Sequence, residues 1–232
     1  MQIFLTLMRT HMRLAWRSGH AALAVTFLFI AITLLPFGLG PELKLLRALA
    51  PGLLWVVLVM CVLVTLDRLF QEDFEDGTFD QLTSVALPLE AVILAKLSGH
   101  YIGVICPLLL GVPLAGLLVN IEAARLPALM AALVVGTPAL VLLGGIGAAL
   151  AVSVRRGGLL AVLLAVPFYV PVMIFGASAS AASLDVNLDA GLAVGFWAGL
   201  DAARLGVLAL LSLAALMLSP LAMAAALRGA LR

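Results

Sequence analysis

Apolar residues run in long, nearly unbroken blocks along this chain, and polar residues collect in short breaks between them. About 20 apolar residues are needed to cross the hydrocarbon core of a bilayer. Six blocks reach or approach that length: His20 to Gly40, Pro51 to Leu66, Ala95 to Val119, Pro127 to Val154, Leu159 to Ala179 and Ala203 to Leu227. The second is short, and helix is expected to continue from it into Asp67 and Arg68. The pattern predicts an all-α integral membrane protein with six transmembrane helices, a single transmembrane domain over residues 1–232.

Composition agrees. Hydrophobic residues make up 65% of the 232 and charged residues 11%, with mean hydropathy +1.25. Soluble domains carry about 25% charged residues, so this chain lacks the charge to coat a water-facing surface. The net charge of +1 gives no sign of a nucleic-acid partner, because the basic residues are scattered at segment ends, and none is expected. Arg9, Arg13 and Arg17 precede a block of spanning length with no A-x-A site, so the N-terminus reads as retained rather than as a cleavable signal. Cys61 and Cys106 lie inside apolar blocks without CxxC spacing and read as small apolar residues.

Basic residues set the orientation. With a cytoplasmic N-terminus, Arg9, Arg13, Arg17, Arg68, Lys96, Arg155, Arg156, Arg228 and Arg232 face the cytoplasm, and Lys44, Arg47, Arg125 and Arg204 face away. Nine against four follows the positive-inside bias and places both termini in the cytoplasm. The far-side connections are a tight turn, Asn120 to Leu126, and a longer stretch, Ser180 to Asp201, with Asp185, Asn187, Asp189 and Trp197. Trp16, Trp55 and Trp197 sit near block ends and read as interface anchors.

The blocks carry no ionisable residue at mid-depth, which argues against a proton- or sodium-driven carrier. They do carry small residues on one face: Gly99 with Gly103, Gly144 with Ala148, and Gly147 with Ala151. Such faces let helices approach closely, either within one chain or at a dimer seam. Pro36, Pro107, Pro113, Pro138, Pro167, Pro171 and Pro220 kink their helices, and a moving gate is the functional alternative to a plain kink. Lys96 and His100 share a helical face at i, i+4. His20 lies at similar depth, and His20 and His100 are the candidates for substrate contact.

Catalytic signatures are missing. A P-loop needs a lysine after a glycine, and neither Lys44 nor Lys96 follows one. HExxH, GxSxG and paired His/Cys metal spacings are absent as well, so the chain reads as non-catalytic, without a metal site or energy source of its own.

One segment breaks the apolar pattern sharply. From Phe70 to Leu82 the chain reads FQEDFEDGTFDQL, holding five of its twelve carboxylates: Glu72, Asp73, Glu75, Asp76 and Asp80. In hydrocarbon each Asp costs roughly 2.5–3.5 kcal/mol, so this segment belongs in water. Leu66, Phe70 and Phe74 recur at i, i+4 and predict helix from Asp67, ended at Gly77. Thr78 or Asp76 caps a second short helix carrying Phe79 and Leu82. Pro88 suits the first turn of the next helix, with Glu90 near its positive end. Exposed phenylalanines on such a surface predict a docking site, and a nucleotide-hydrolysing subunit is the natural partner.

At these residues the chain resembles the haem exporter protein B family, the membrane subunit of the cytochrome c maturation ABC transporter. The resemblance rests on LDRLFQEDFEDGTFDQLTSVALPLEAVILAKLSGH, Leu66 to His100, with Phe70, Glu72, Asp73, Glu75, Asp76, Gly77, Asp80, Leu82, Leu87-Pro88-Leu89 and Lys96. The chain departs from the family pattern at Asp80, where glutamate is usual, and at Thr83-Ser84, where leucines are common. The resemblance implies a bacterial inner-membrane permease subunit required for c-type cytochrome biogenesis. It would pair with a second copy of itself and with two ATPase subunits that bind ATP. A tryptophan-rich haem-handling membrane protein and a periplasmic haem chaperone are the further implied partners. Residues 67–94, with Phe70, Glu72, Asp73, Phe74, Glu75, Asp76, Gly77, Phe79, Asp80 and Leu82, would be the ATPase-coupling segment. Haem would be the substrate, either exported or released on its loaded chaperone. The alternative is the transmembrane subunit of another ABC-2-type exporter, for lipid, polysaccharide or drug.

Overall fold

The computed structural model describes residues 2–40, 43–66, 69–77, 87–152, 154, 157–185 and 202–230. These form helices α1 (Gln2–Arg17), α2 (His20–Leu39), α3 (Leu43–Leu66), α4 (Gln71–Glu75), α5 (Leu89–His100), α6 (Cys106–Leu118), α7 (Leu126–Ala151), α8 (Gly157–Asp185) and α9 (Ala202–Ala230). A π-helical turn, Tyr101–Ile105, joins α5 to α6, and a 3₁₀ turn, Ala123–Arg125, precedes α7. No strand occurs among the described residues.

Six helical stretches are long and apolar enough to span a membrane: His20–Leu39, Leu45–Leu66, Leu89–Leu118, Leu126–Ala151, Leu159–Ser180 and Ala202–Ala230. They coincide with the six expected blocks, with two boundary corrections. The second span does not start at Pro51 but runs as helix from Leu43, with Pro51 inside it. Proline removes one backbone bond, and packed neighbours let a membrane helix tolerate that loss. The third span starts at Leu89 rather than Ala95, directly after Pro88, whose extended backbone (φ −63°, ψ 144°) stands at the N-cap. The predicted helical continuation through Asp67 and Arg68 lies outside the described residues. Beyond it, Leu69 and Phe70 form a turn before helix resumes at Gln71.

Small residues decide the packing. α7 packs chiefly against α8 and α9. A Cβ on Gly147 would lie 2.6 Å from the Ala161 carbonyl of α8, and one on Gly144 would strike the Tyr169 hydroxyl. Trp55 is not an interface anchor. It is fully buried, donates its indole N–H to Ser180 Oγ at 2.9 Å, and presses against Gly136 and Gly176. Extending α3 back to Leu43 moves Trp55 from a helix end to its interior, where only glycine leaves room for the ring. Trp16 is 65% exposed, in keeping with an interface role, and Trp197 lies outside the described residues.

The Gly99/Gly103 face is an internal seat. A Cβ on Gly99 would meet Met8 O at 2.7 Å, and one on Gly103 would meet Ala15 Cβ at 3.0 Å. The occupant is α1, an amphipathic helix that the block pattern alone did not announce. Within this seat the helix widens into the π turn that holds Gly103, next to Pro107, which lacks the N–H to bond the Gly103 carbonyl. Tyr101 Oη and Thr137 Oγ1, 2.9 Å apart, tie the π turn to α7.

Candidate functional site

α2, α5 and α8 begin, and α3, α7 and α9 finish, at one end of the bundle, here the near end. There Lys96 points inward from α5 and pairs with Asp73 of α4; their side chains are only 8% and 14% exposed. The Lys96 ammonium also sits over the Phe70 ring, 5.6 Å from its centroid. Phe70 is fully buried and Phe74 packs against the core. The expected exposed aromatic knobs are therefore absent at these two positions. A five-residue helix has no stability alone. Folding it back onto the bundle buries the Phe70 ring, packs Phe74 against the core and pairs Lys96 with Asp73. Loss of Lys96 would leave the Asp73 carboxylate buried without its cation, at a cost of about 3–5 kcal/mol.

The pair borders a cavity of about 90 Å³, between α1, α4 and the near ends of α2, α3 and α5. His11, His20 and His100, the only histidines in the chain, all line it, together with Ser18 and Thr65. Ser18 Oγ lies 2.9 Å from His20 Nδ1, and Thr65 Oγ1 lies 3.4 Å from His100 Nε2. Burial of the His11 imidazole, followed by the positive charge of Lys96, lowers its pKa from the ordinary 6.5; Asp73 opposes the shift. The candidates His20 and His100 are thus brought together, and His11 joins them. Among the described residues, however, no group of three or more His, Cys, Asp or Glu is placed to hold a metal ion. The cavity is also far below the roughly 300–1,000 Å³ of sites that enclose cofactor-sized ligands. It suits a few waters or a small polar group and does not fit a macrocycle.

Beyond the ion pair the segment turns outward. Glu72 and Glu75 lie on α4, Asp76 is exposed, and Gly77 adopts φ +69°, a left-handed turn that glycine enters freely. The Gly77 N–H donates to Phe74 O at 3.3 Å and closes the helix. Phe79, Asp80 and Leu82, with the predicted second short helix, lie outside the described residues. Arg228 near the end of α9 donates to Glu90 Oε1 at 2.7 Å, joining the last helix to the first turn of α5.

The far end carries different chemistry. Glu122 receives Arg47 from α3 and Arg125 at 3.0 Å from its own turn. The Arg47 hydrogen bond is the main cause that holds the Glu122 carboxyl below its ordinary value. Arg204 donates to the Ser178 carbonyl at 3.1 Å, tying α9 to α8.

Sequence reasoning missed α1, His11 and the Asp73–Lys96 pair. The signal for α1 was present: Phe4, Met8, His11, Met12 and Ala15 repeat at i, i+3, i+4, opposite Arg9, Arg13 and Arg17. The ion pair had no such signal, since its partners stand 23 residues apart with a turn between them.

Known proteins extend this picture over the whole chain. A Heme exporter protein B of Paracoccus denitrificans is 46% identical over 223 residues, covering 95% of this chain and 96% of its own. Proteins of the same name from Bradyrhizobium diazoefficiens and Pseudomonas aeruginosa are 41% and 40% identical, covering 96% and 97% of this chain and 96% of their own lengths. The family described as CcmB protein matches residues 2–230. With six spans of the expected order and a family match running from the first turn of α1 to the last residue of α9, the chain belongs to the CcmB family.

Proposed function

We propose that this chain is the permease subunit of an ABC-type haem exporter required for the biogenesis of c-type cytochromes. The carrying observation is 40–46% identity to Heme exporter protein B from three bacteria over nearly the full length of each. The chain is a transporter component of the membrane, and a separate ATPase subunit supplies the energy of hydrolysis. In this reading the near end faces the cytoplasm of a bacterial inner membrane, with both termini on that side. The nine-to-four excess of basic residues supports this placement.

The acidic segment after α3 is the ATPase-coupling element. Support comes from its position: α4 is joined to α5 through Asp73 and Lys96, so a push on the segment reaches the third span directly. Exposed Asp76, at the Gly77 turn, is free to meet a partner, while Asp73 and Phe70 act inward. Asp76→Lys should therefore lower co-purification of the ATPase subunit without loss of membrane insertion. Asp73→Ala would mix that effect with loss of the Lys96 partner.

The deciding experiment is a haem stain of membranes from a strain lacking only this gene. Covalently bound haem survives denaturation and marks c-type cytochromes on a gel. Their loss, with b-type haem proteins retained and recovery on re-expression, is the expected result. Unchanged c-type bands would refute the assignment.

A further inference from the structure

We propose that the outward face of α1 binds the headgroups of anionic phospholipids, independently of the transported substrate. Arg9, Arg13 and Arg17 stand at i, i+4 and i+8 and form one stripe along the helix. All three are exposed, and none has an ion-pair partner among the described residues. The stripe points away from the bundle, because the opposite face, Met8, His11, Met12 and Ala15, sits on Gly99 and Gly103.

Depth places the stripe at the lipid surface. Only Ser18 and Gly19 separate Arg17 from His20, the first residue of a membrane-spanning helix. Gly19 turns the chain there with φ +79°. Arg17 therefore lies within roughly one helical turn, about 5 Å, of the point where α2 begins. Exposed apolar side chains flank the arginines: Ile3 (48%) and Leu14 (54%) along one side, Leu5 (40%) and Trp16 (65%) along the other. Apolar flanks, an indole and a row of cations form the pattern by which an amphipathic helix rests at an anionic bilayer surface. Charge complementarity selects the occupant, since zwitterionic headgroups offer a row of arginines no net attraction.

The test uses the whole chain, purified in detergent and titrated with phosphatidylglycerol or phosphatidylcholine, with bound lipids counted by native mass spectrometry. Wild type should retain phosphatidylglycerol in preference to phosphatidylcholine, and the preference should shrink as salt rises from about 50 to 500 mM. R9Q/R13Q/R17Q should lose roughly 100-fold in phosphatidylglycerol affinity, since each of the three cations at an anionic surface adds a factor of about five. R9K/R13K/R17K should keep the preference and shows that charge is what is read. It also guards against misfolding of the glutamine variant, whose packed face is untouched. Equal phosphatidylglycerol binding by wild type and the glutamine variant would overturn the proposal. So would unchanged lipid binding with loss of the ATPase subunit, which would give the stripe to a protein partner.

Discussion

Two ion-pair sites lie at opposite ends of this bundle and do different things with the same chemistry. At the near end Lys96 and Asp73 have side chains 8% and 14% exposed; at the far end Arg47 and Glu122 are 34% and 42% exposed. Water and salt screen the far-end pair, so either partner can be lost with little consequence. The near-end pair is shut between a phenylalanine ring, packed helices and a cavity lined by histidines, and the Asp73 charge depends on Lys96. Burial, rather than the pairing itself, makes an ion pair a structural joint. The joint sits where the acidic segment meets the third span.

The largest effect is expected from Lys96→Met, which leaves Asp73 buried and unpaired. Stability should fall by about 3–5 kcal/mol, read by thermal unfolding in detergent. The double variant K96M/D73L removes both charges and should recover most of the loss. If the single and double variants unfold at the same temperature, the joint is not a buried pair.

Next comes a contrast between glycines. Gly99→Leu places atoms where the Met8 backbone stands, whereas Gly52, in α3, has nothing within 4 Å of its would-be Cβ. Overpacking of this kind costs about 1–3 kcal/mol. Hydrogen exchange over residues 2–17 should accelerate in Gly99→Leu and stay unchanged in Gly52→Leu. Equal exchange in both variants would mean that α1 does not need its seat.

A smaller effect concerns pH. His11 has a folded pKa below its ordinary 6.5, so its neutral form is favoured in the folded chain. The stability it contributes is present above pH 6.5 and is lost as pH falls below that value, where the unfolded chain takes up the proton first. Protection of the α1 amides, corrected for the intrinsic pH dependence of exchange, should therefore be lower at pH 5.5 than at pH 7.5, and His11→Gln should flatten the dependence. A pH response that survives in His11→Gln would point to another group facing the cavity, among Asp73, Lys96, His20 and His100.

Glu122→Gln should be the mildest, with no measurable change in unfolding temperature near neutral pH. The Glu122 carboxyl is held below its ordinary 4.5, so any contribution is present above that pH and disappears only as pH falls through the lowered value. A large loss at pH 7 would erase the distinction between the two ends.

Much of the fold was legible because hydrocarbon tolerates few patterns. Six apolar blocks predicted six helices, since a backbone in lipid must satisfy its own hydrogen bonds. Pro88 and Glu90 marked the start of the third span for local reasons that tertiary contacts did not alter. Trp55 misled because the eight helical residues ahead of the expected block, Leu43 to Ala50, include Lys44 and Arg47 and read as a polar edge. Phe70 misled for a related reason: an apolar residue among carboxylates looks exposed, and its direction depends on a turn at Leu69–Phe70 that leaves little local trace.

What the sequence determined by itself was the class of the molecule, the order of its spans and the family carried by the Leu66–His100 stretch. Charge, length and hydropathy act locally, each residue bearing its transfer cost wherever it stands. Tertiary structure alone decided that Gly99 and Gly103 seat α1, that Lys96 finds Asp73, and that three histidines from α1, α2 and α5 share one cavity. Those outcomes depend on which helix faces are brought together. Between helices in lipid, close packing of small residues and a few polar contacts make that choice, and single-residue transfer energies do not.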